Sequence, residues 1–255
     1  MSWTRDCEVV NKVGGFLREE EAEYLYNLAQ DCDRPIVEIG SWFGKSTISM
    51  ALGAKSGRGA KVYAVDPHDG IPDNTVFAKK PERTEEIFRD NIKRAGVDNI
   101  VIPLVMTSEE ASKGWRQPIS LLFIDGGHEY DNVLKDFLLW APHLVEGGIV
   151  VFHDVLYSSA SAYPGIIKVV VTHIFNTNEF SSVKFCGTMI SASKTQTTAI
   201  EEIVKLYKLV SLYSHSARCF IKETAIRVLV ALNLLGMVIR VKRKVLSIRQ
   251  IFDKG

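Results

Sequence analysis

Two stretches of the chain end an apolar run in chemistry. FIDGGHEYDNV sets Asp125 and then His128 just past a hydrophobic segment, and VFHDV does the same with His153 and Asp154. Carboxylate oxygens and imidazole nitrogens together suit a divalent ion such as Mg²⁺ or Mn²⁺, which would orient a substrate oxygen and lower its pKa. An imidazole held near carboxylates also suits general-base work. The candidate catalytic residues are therefore His128, Asp125 and His153, and the candidate metal set is Asp125, His153 and Asp154. Acids gathered at one strand edge need a ligand or a counter-charge to offset their repulsion. The isolated His68, His143, His173 and His215 read instead as surface or satisfied core residues.

A third stretch, EIGSWFGKST over 38–47, looks at first like a phosphate loop. Only Ser41, Trp42 and Phe43 separate Gly40 from the following Gly-Lys-Ser, too few to wrap a triphosphate, and the second glycine of a dinucleotide fingerprint falls on Trp42. Glu38 would also repel an anion there. A cation is the better guest, and S-adenosylmethionine (SAM), with a sulfonium and an ammonium, fits an acidic loop with a close glycine turn. Asp66 closes the next apolar run and suits a ribose. Lys45 and Ser46 open a helix able to receive the ligand carboxylate. Ser108 stands where an adenine edge can be read or a helix capped. The candidate cofactor residues are Glu38, Gly40, Ser41, Gly44, Ser46, Asp66, Ser108 and Asp125, while Trp42, Trp115 and Trp140 suit either an aromatic pocket or the core.

These residues need a scaffold that brings distant segments to one edge. The β-branched runs PIVEIG, KVYAVD, NIVIPLVM, ISLLFID and GGIVVFHD alternate with helical patterns over 46–54, 83–95, 108–113 and 132–144. That alternation predicts an α/β fold with a Rossmann-like, mostly parallel sheet, whose ligands sit at the C-terminal strand ends. Residues 166–175 read as helix, and VKFCGTMISASK as two strands turning at Gly187. Before the sheet, VGGFLREEEAEYLYNLAQ predicts a helical lead over 1–34. The SAM-binding domain spans 35–195, and a helical extension covers 196–255.

Bulk properties narrow the partners. A formal net charge of +1 gives no general attraction for nucleic acid. The four cysteines form no Cys-x-x-Cys pair, and MSWTRDCEVV has no apolar signal segment, so the chain reads as cytoplasmic with free thiols. The apolar run over 228–239 is shorter than the ~20 residues a bilayer span needs. Behind it Arg240, Lys242, Arg243, Lys244 and Arg249 carry positive charge. This tail suits packing, homo-oligomer formation, or peripheral contact with an anionic membrane surface.

VEIGSWFGKST, VYAVDP, FIDGGHEYDNVLKDFLLWAPHLVEGGIVVFHD and the CGTMIS hairpin together resemble the class I SAM-dependent methyltransferases, specifically methyltransferase family 24. The resemblance covers roughly residues 14–194 and is carried most specifically by the IDGGH and GGIVVFHD pair. It implies a seven-stranded sheet with the last strand antiparallel, and a cofactor pocket made by Glu38, Gly40, Ser41, Asp66 and the loop at Ser108. It further implies O-methylation of a small hydroxylated acceptor, a sugar or glycoconjugate, assisted by a metal at Asp125 and Asp154. The chain departs from the pattern at His153, where many such relatives carry an acid, and in its basic tail. Two rival readings keep the fold: an enzyme with a changed, hydroxylase-like reaction, and a membrane-associated scaffold with a vestigial site.

Overall fold

The computed structural model describes residues 3–69, 83–156 and 163–220, with side chains through 212. Its centre is a seven-stranded sheet in the order β3-β2-β1-β4-β5-β7-β6. The strands are β1 (Ile36–Ile39), β2 (Val62–Val65), β3 (Val101–Leu104), β4 (Ile119–Ile124), β5 (Leu144–Phe152), β6 (Phe180–Cys186) and β7 (Met189–Lys194). The first five run parallel, and β7 is antiparallel to both neighbours, as the resemblance implies. β1 is buried along its whole length and β4 almost so, because a parallel sheet is covered on both faces. Glu38, the one charge in β1, is buried with it.

Register decides which residues can cooperate. Ile39 lies beside Val65 on one side and Ile124 on the other, and Ile124 lies beside Phe152. The residues one step further, Gly40, Asp66, Asp125 and His153, therefore leave the sheet next to one another. The strand order reverses between β1 and β4, and that reversal opens a crevice.

Helices α1 (Trp3–Asn11), α2 (Glu19–Gln30), α3 (Lys45–Ser56) and α4 (Thr84–Arg94) supply one apolar layer, packed with Ile36, Val62 and Leu121 of the sheet. Helices α5 (Ser108–Lys113), α6 (Tyr130–Trp140), α7 (Pro164–Val170) and α8 (Ala199–Phe220) supply the other, around Trp140, Phe152 and Ile190. The helical lead is thus part of the same core as the sheet. The Tyr24 hydroxyl of α2 lies 2.6 Å from Ser191 Oγ on β7, so the second helix touches the last strand.

Two boundaries differ from the sequence reading. The helix expected over 132–144 ends at Trp140, and a 3-10 turn over Ala141–His143 hands the chain to β5. Pro142 lacks the N–H that a continuing helix needs. The helix expected over 166–175 begins at Pro164, as a proline at a first turn allows, and finishes in a π turn over Val171–Phe175. The tail residues over 228–249 lie outside the described residues. Among those described, no helix is long and apolar enough to cross a membrane.

Gly40 shows how tightly the crest is packed. Its φ is +88°, and a Cβ there would stand 2.3 Å from the Asp125 backbone oxygen. Gly40→Ala should cost on the order of 2–3 kcal/mol, because backbone cannot swing aside as a side chain can. Gly114→Ala, where an added Cβ meets nothing within 4 Å, should stay within about 0.5 kcal/mol. Urea midpoints of the two variants check the contrast.

Candidate active site

The crevice is a cavity of about 510 Å³, within the range of ordinary ligand sites. Gly40, Ser41, Ser46, Asp66, Ser108, Asp125, His128, His153 and Asp154 all line it, so the topology gathers most of the residues singled out from sequence. Trp42 lines it too, whereas Trp115 and Trp140 pack edge to face in the core at 5.3 Å.

Glu38 and Gly44 take other positions. Glu38 is fully buried behind the loop, where Ser46 Oγ donates to one carboxylate oxygen and Thr47 Oγ1 to the other. It ties the strand to the first turn of α3 and is not among the residues lining the cavity. Burial pushes its carboxyl up to about 8; the two hydroxyls oppose the rise, while Asp125 and Asp66 add to it. Gly44 precedes α3 with its face against Phe88, again behind the wall.

Asp66 shapes the loop. Its Oδ2 accepts the N–H groups of Ser41 and Trp42 at 3.0 and 2.8 Å, and its Oδ1 accepts His68 N–H at 2.7 Å. The clamp holds Trp42 at φ +42°, an unusual conformation for a bulky residue. Trp42 stacks on Phe43 at 4.0 Å and on Phe16 at 5.6 Å, forming an aromatic lip. Among the described residues the buried Ser41 Oγ has no hydrogen-bond partner. An unmatched hydroxyl in a cavity wall is a donor and acceptor for a guest.

The neighbouring strand ends form an ionic cluster. His128 Nε2 lies 3.2 Å from Asp154 Oδ2, and its ring stacks on Tyr163 at 3.9 Å. His153, only 4% exposed, presents Nδ1 to Asp125 Oδ1 at 3.0 Å and to Asp154 Oδ2 at 3.4 Å, with Nε2 3.4 Å from Glu21 Oε2. Burial disfavours its charge, yet Asp125, Asp154 and Glu21 together raise it well above the usual histidine range. For Asp154, burial acts upward but hydrogen bonds from His128 and His153 hold it below the ordinary value. Asp125 moves up, through burial first, against the pull of His153.

This pattern revises the metal set. Asp125, His128 and Asp154 bring ligand atoms within 4.8 Å of one another. His153 instead has both ring nitrogens turned to carboxylates, Nδ1 to Asp125 and Asp154 and Nε2 to Glu21, and is not in that group. The donor set of two carboxylates and an imidazole fits Mg²⁺ or Mn²⁺ with coordination positions to spare.

Other wall residues escaped the sequence reading. His68 lines the cavity rather than lying in the core or on the outer surface, and Gly14 to Leu17 of the lead form part of the rim. Asp136 lies on the buried stripe Val133, Asp136, Phe137 and Trp140 of α6, and burial pushes it up to about 6. An acid on an apolar helical stripe was the available signal. Ser108 does not cap α5; Thr107 does, accepting from Glu110 N–H, while Ser108 Oγ accepts from Trp140 Nε1 at 2.9 Å.

Residues 37–155 match the family model described as a methyltransferase domain, family 24. The uncharacterized protein R132 of Acanthamoeba polyphaga mimivirus is 28% identical over 173 residues, which cover 64% of this chain and 70% of the relative. Cofactor-bound Rv0187 from MTB superposes with a TM-score of 0.56 at 18% identity, over 76% of this chain and 88% of that one. An O-methyltransferase from Bacillus cereus in complex with SAH gives 0.54 at 17% identity, over 75% and 89%. At such identity these structures establish a common fold.

Glu38 yields a pH prediction. Its native carboxyl keeps a proton that the unfolded chain releases near 4.5, so stability falls as pH rises from 4.5 to about 8. Glu38→Gln removes that titration while retaining groups for both hydroxyls. Chemical denaturation across the window should show wild type losing stability relative to the variant, and parallel curves would exclude a proton held at Glu38.

Proposed function

We propose that this chain, whose residues 37–155 match a methyltransferase-domain family, is a SAM-dependent enzyme that methylates an oxygen of a small hydroxylated acceptor such as a sugar or glycoconjugate. The observation that carries the reading is the His128–Asp154 pair at 3.2 Å on the wall of the cavity that also holds Asp66 and the Gly40 turn. SAM supplies a methyl on a positively charged sulfur and leaves as the neutral thioether.

Asp66 would hold the ribose hydroxyls, as two-oxygen acceptors do at a second strand end. Ser41 Oγ and the N-terminus of α3 would meet the ligand's polar groups. Asp125 and Asp154 give the crevice the negative charge that a sulfonium favours. His128 would take the acceptor's hydroxyl proton at the ring nitrogen turned away from Asp154, and Asp154, 3.2 Å from Nε2, would stabilise the imidazolium formed, the usual division between a base and its orienting carboxylate. Phe16, Trp42 and Phe43 would keep water from the transfer path and present a flat apolar wall to the acceptor.

A second reading rests on the 4.8 Å grouping of Asp125, His128 and Asp154. Those residues would hold a divalent ion, which would lower the acceptor's pKa in place of a base. The acceptor class draws on the family resemblance and on a cavity wall that carries both polar and aromatic side chains.

Calorimetry with SAM and SAH tests the donor. Asp66→Asn should weaken binding at least tenfold, an expected loss of about 1.4 kcal/mol for a ribose contact. His128→Ala should lower kcat about 10²- to 10⁴-fold with unchanged SAH affinity. Activity that survives EDTA supports the histidine base; activity lost to EDTA and restored by Mn²⁺ supports the metal. Wild type that binds neither SAM nor SAH would overturn both.

A further inference from the structure

Glu21 lies outside the matched domain, on α2, yet it is fully buried beside the ionic cluster. Its Oε1 accepts Thr188 N–H at 2.6 Å and Thr188 Oγ1–H at 2.8 Å. Its Oε2 accepts Arg18 N–H at 2.8 Å and faces His153 Nε2 at 3.4 Å. Every part of this carboxylate is therefore located by groups of the lead or of the β6–β7 turn. Room for it exists because residue 187 is glycine: at φ +56°, a Cβ on Gly187 would stand 2.3 Å from Glu21 Oε1.

We propose that Glu21 is a positioning residue for the active site, acting through His153. With Nε2 directed to Glu21, the ring can present only Nδ1 to the crest, where it meets Asp125 Oδ1 at 3.0 Å and Asp154 Oδ2 at 3.4 Å. Asp154 in turn holds His128 at 3.2 Å. The sequence of contacts runs from the fixed backbone of Thr188 and Arg18 to the proposed base, with no bond made or broken along it. A carboxylate that orients an imidazole through its far nitrogen is an established way to fix ring angle and tautomer. Here the oriented imidazole spaces two acids instead of binding substrate.

The effect on turnover rests on the methyl-transfer reading, while the orientation of His153 does not. The full-length chain carrying Glu21→Gln is compared with wild type and with His153→Gln. Glu21→Gln should lower kcat about 10- to 100-fold, as loss of an orienting partner does, with KM for SAM and calorimetric affinity for SAH within about twofold of wild type. Glu21→Gln together with His153→Gln should be no slower than His153→Gln alone, since both break one path. Two losses that multiply, or a kcat for Glu21→Gln within about twofold of wild type, would overturn the proposal. Nitrogen-15 NMR of the histidine rings supplies a readout independent of turnover: the His153 ring signals should move in Glu21→Gln, and unmoved signals reject the proposal even in a chain without methyl transfer. Should Glu21→Gln fail to fold, Thr188→Val, which deletes a single contact, and Gly187→Ala, which displaces the carboxylate, replace it. Each should shift the His153 signals and lower kcat in the same direction, and unchanged values in both variants would equally count against the assignment.

Discussion

A carboxylate taken out of water must be paired, hydrogen-bonded or protonated, since its desolvation costs several kcal/mol. At and behind the crest of this sheet Glu21, Glu38, Asp66 and Asp154 each meet that constraint by different means. Glu38 takes two hydroxyls and a raised pKa. Asp66 takes the N–H groups of the loop it shapes. For Glu21, burial acts upward, but His153, Thr188 and Arg18 bring it down to about 2. Asp154 takes two imidazoles. The loop conformation, the entry angle of α3 and the placement of His128 are consequences of these arrangements.

Much of this was legible because parallel strands advertise themselves. A buried β-branched run ending in a polar residue marks both the element and its functional edge, so Asp66, Asp125 and Asp154 could be named from their neighbours alone. The register that aligns Gly40, Asp66, Asp125 and His153 follows from the alternation of strand and helix. Which side of the wall a residue faces is another matter. Glu38 in IVEI and Gly44 look like ligand residues in one dimension, yet the strand pleat and the turn direct them behind the cavity.

Glu21 was illegible for a different reason. It ends a run of three glutamates at the start of α2, where acids are favoured by the helix dipole and usually lie in solvent. Only the tertiary docking of α2 on the β6–β7 turn distinguishes it from exposed Glu19 and Glu20. The place of His153 at the strand end was legible but its contact with Glu21 was not, because that acid is contributed from 132 residues away. Domain boundaries suffer likewise: the lead is separate as a pattern and continuous as a core.

The bond between Glu21 and Thr188 spans 167 positions of the chain. Synthesis proceeds from the N-terminus, so α2 leaves the ribosome long before the hairpin that must receive its carboxylate. Until then the acid lacks the Thr188 groups that offset its burial. Closure of the hairpin is thus a contact of long sequence separation, whose formation supplies the buried acid with its partners and joins the first helices to the crest of the sheet.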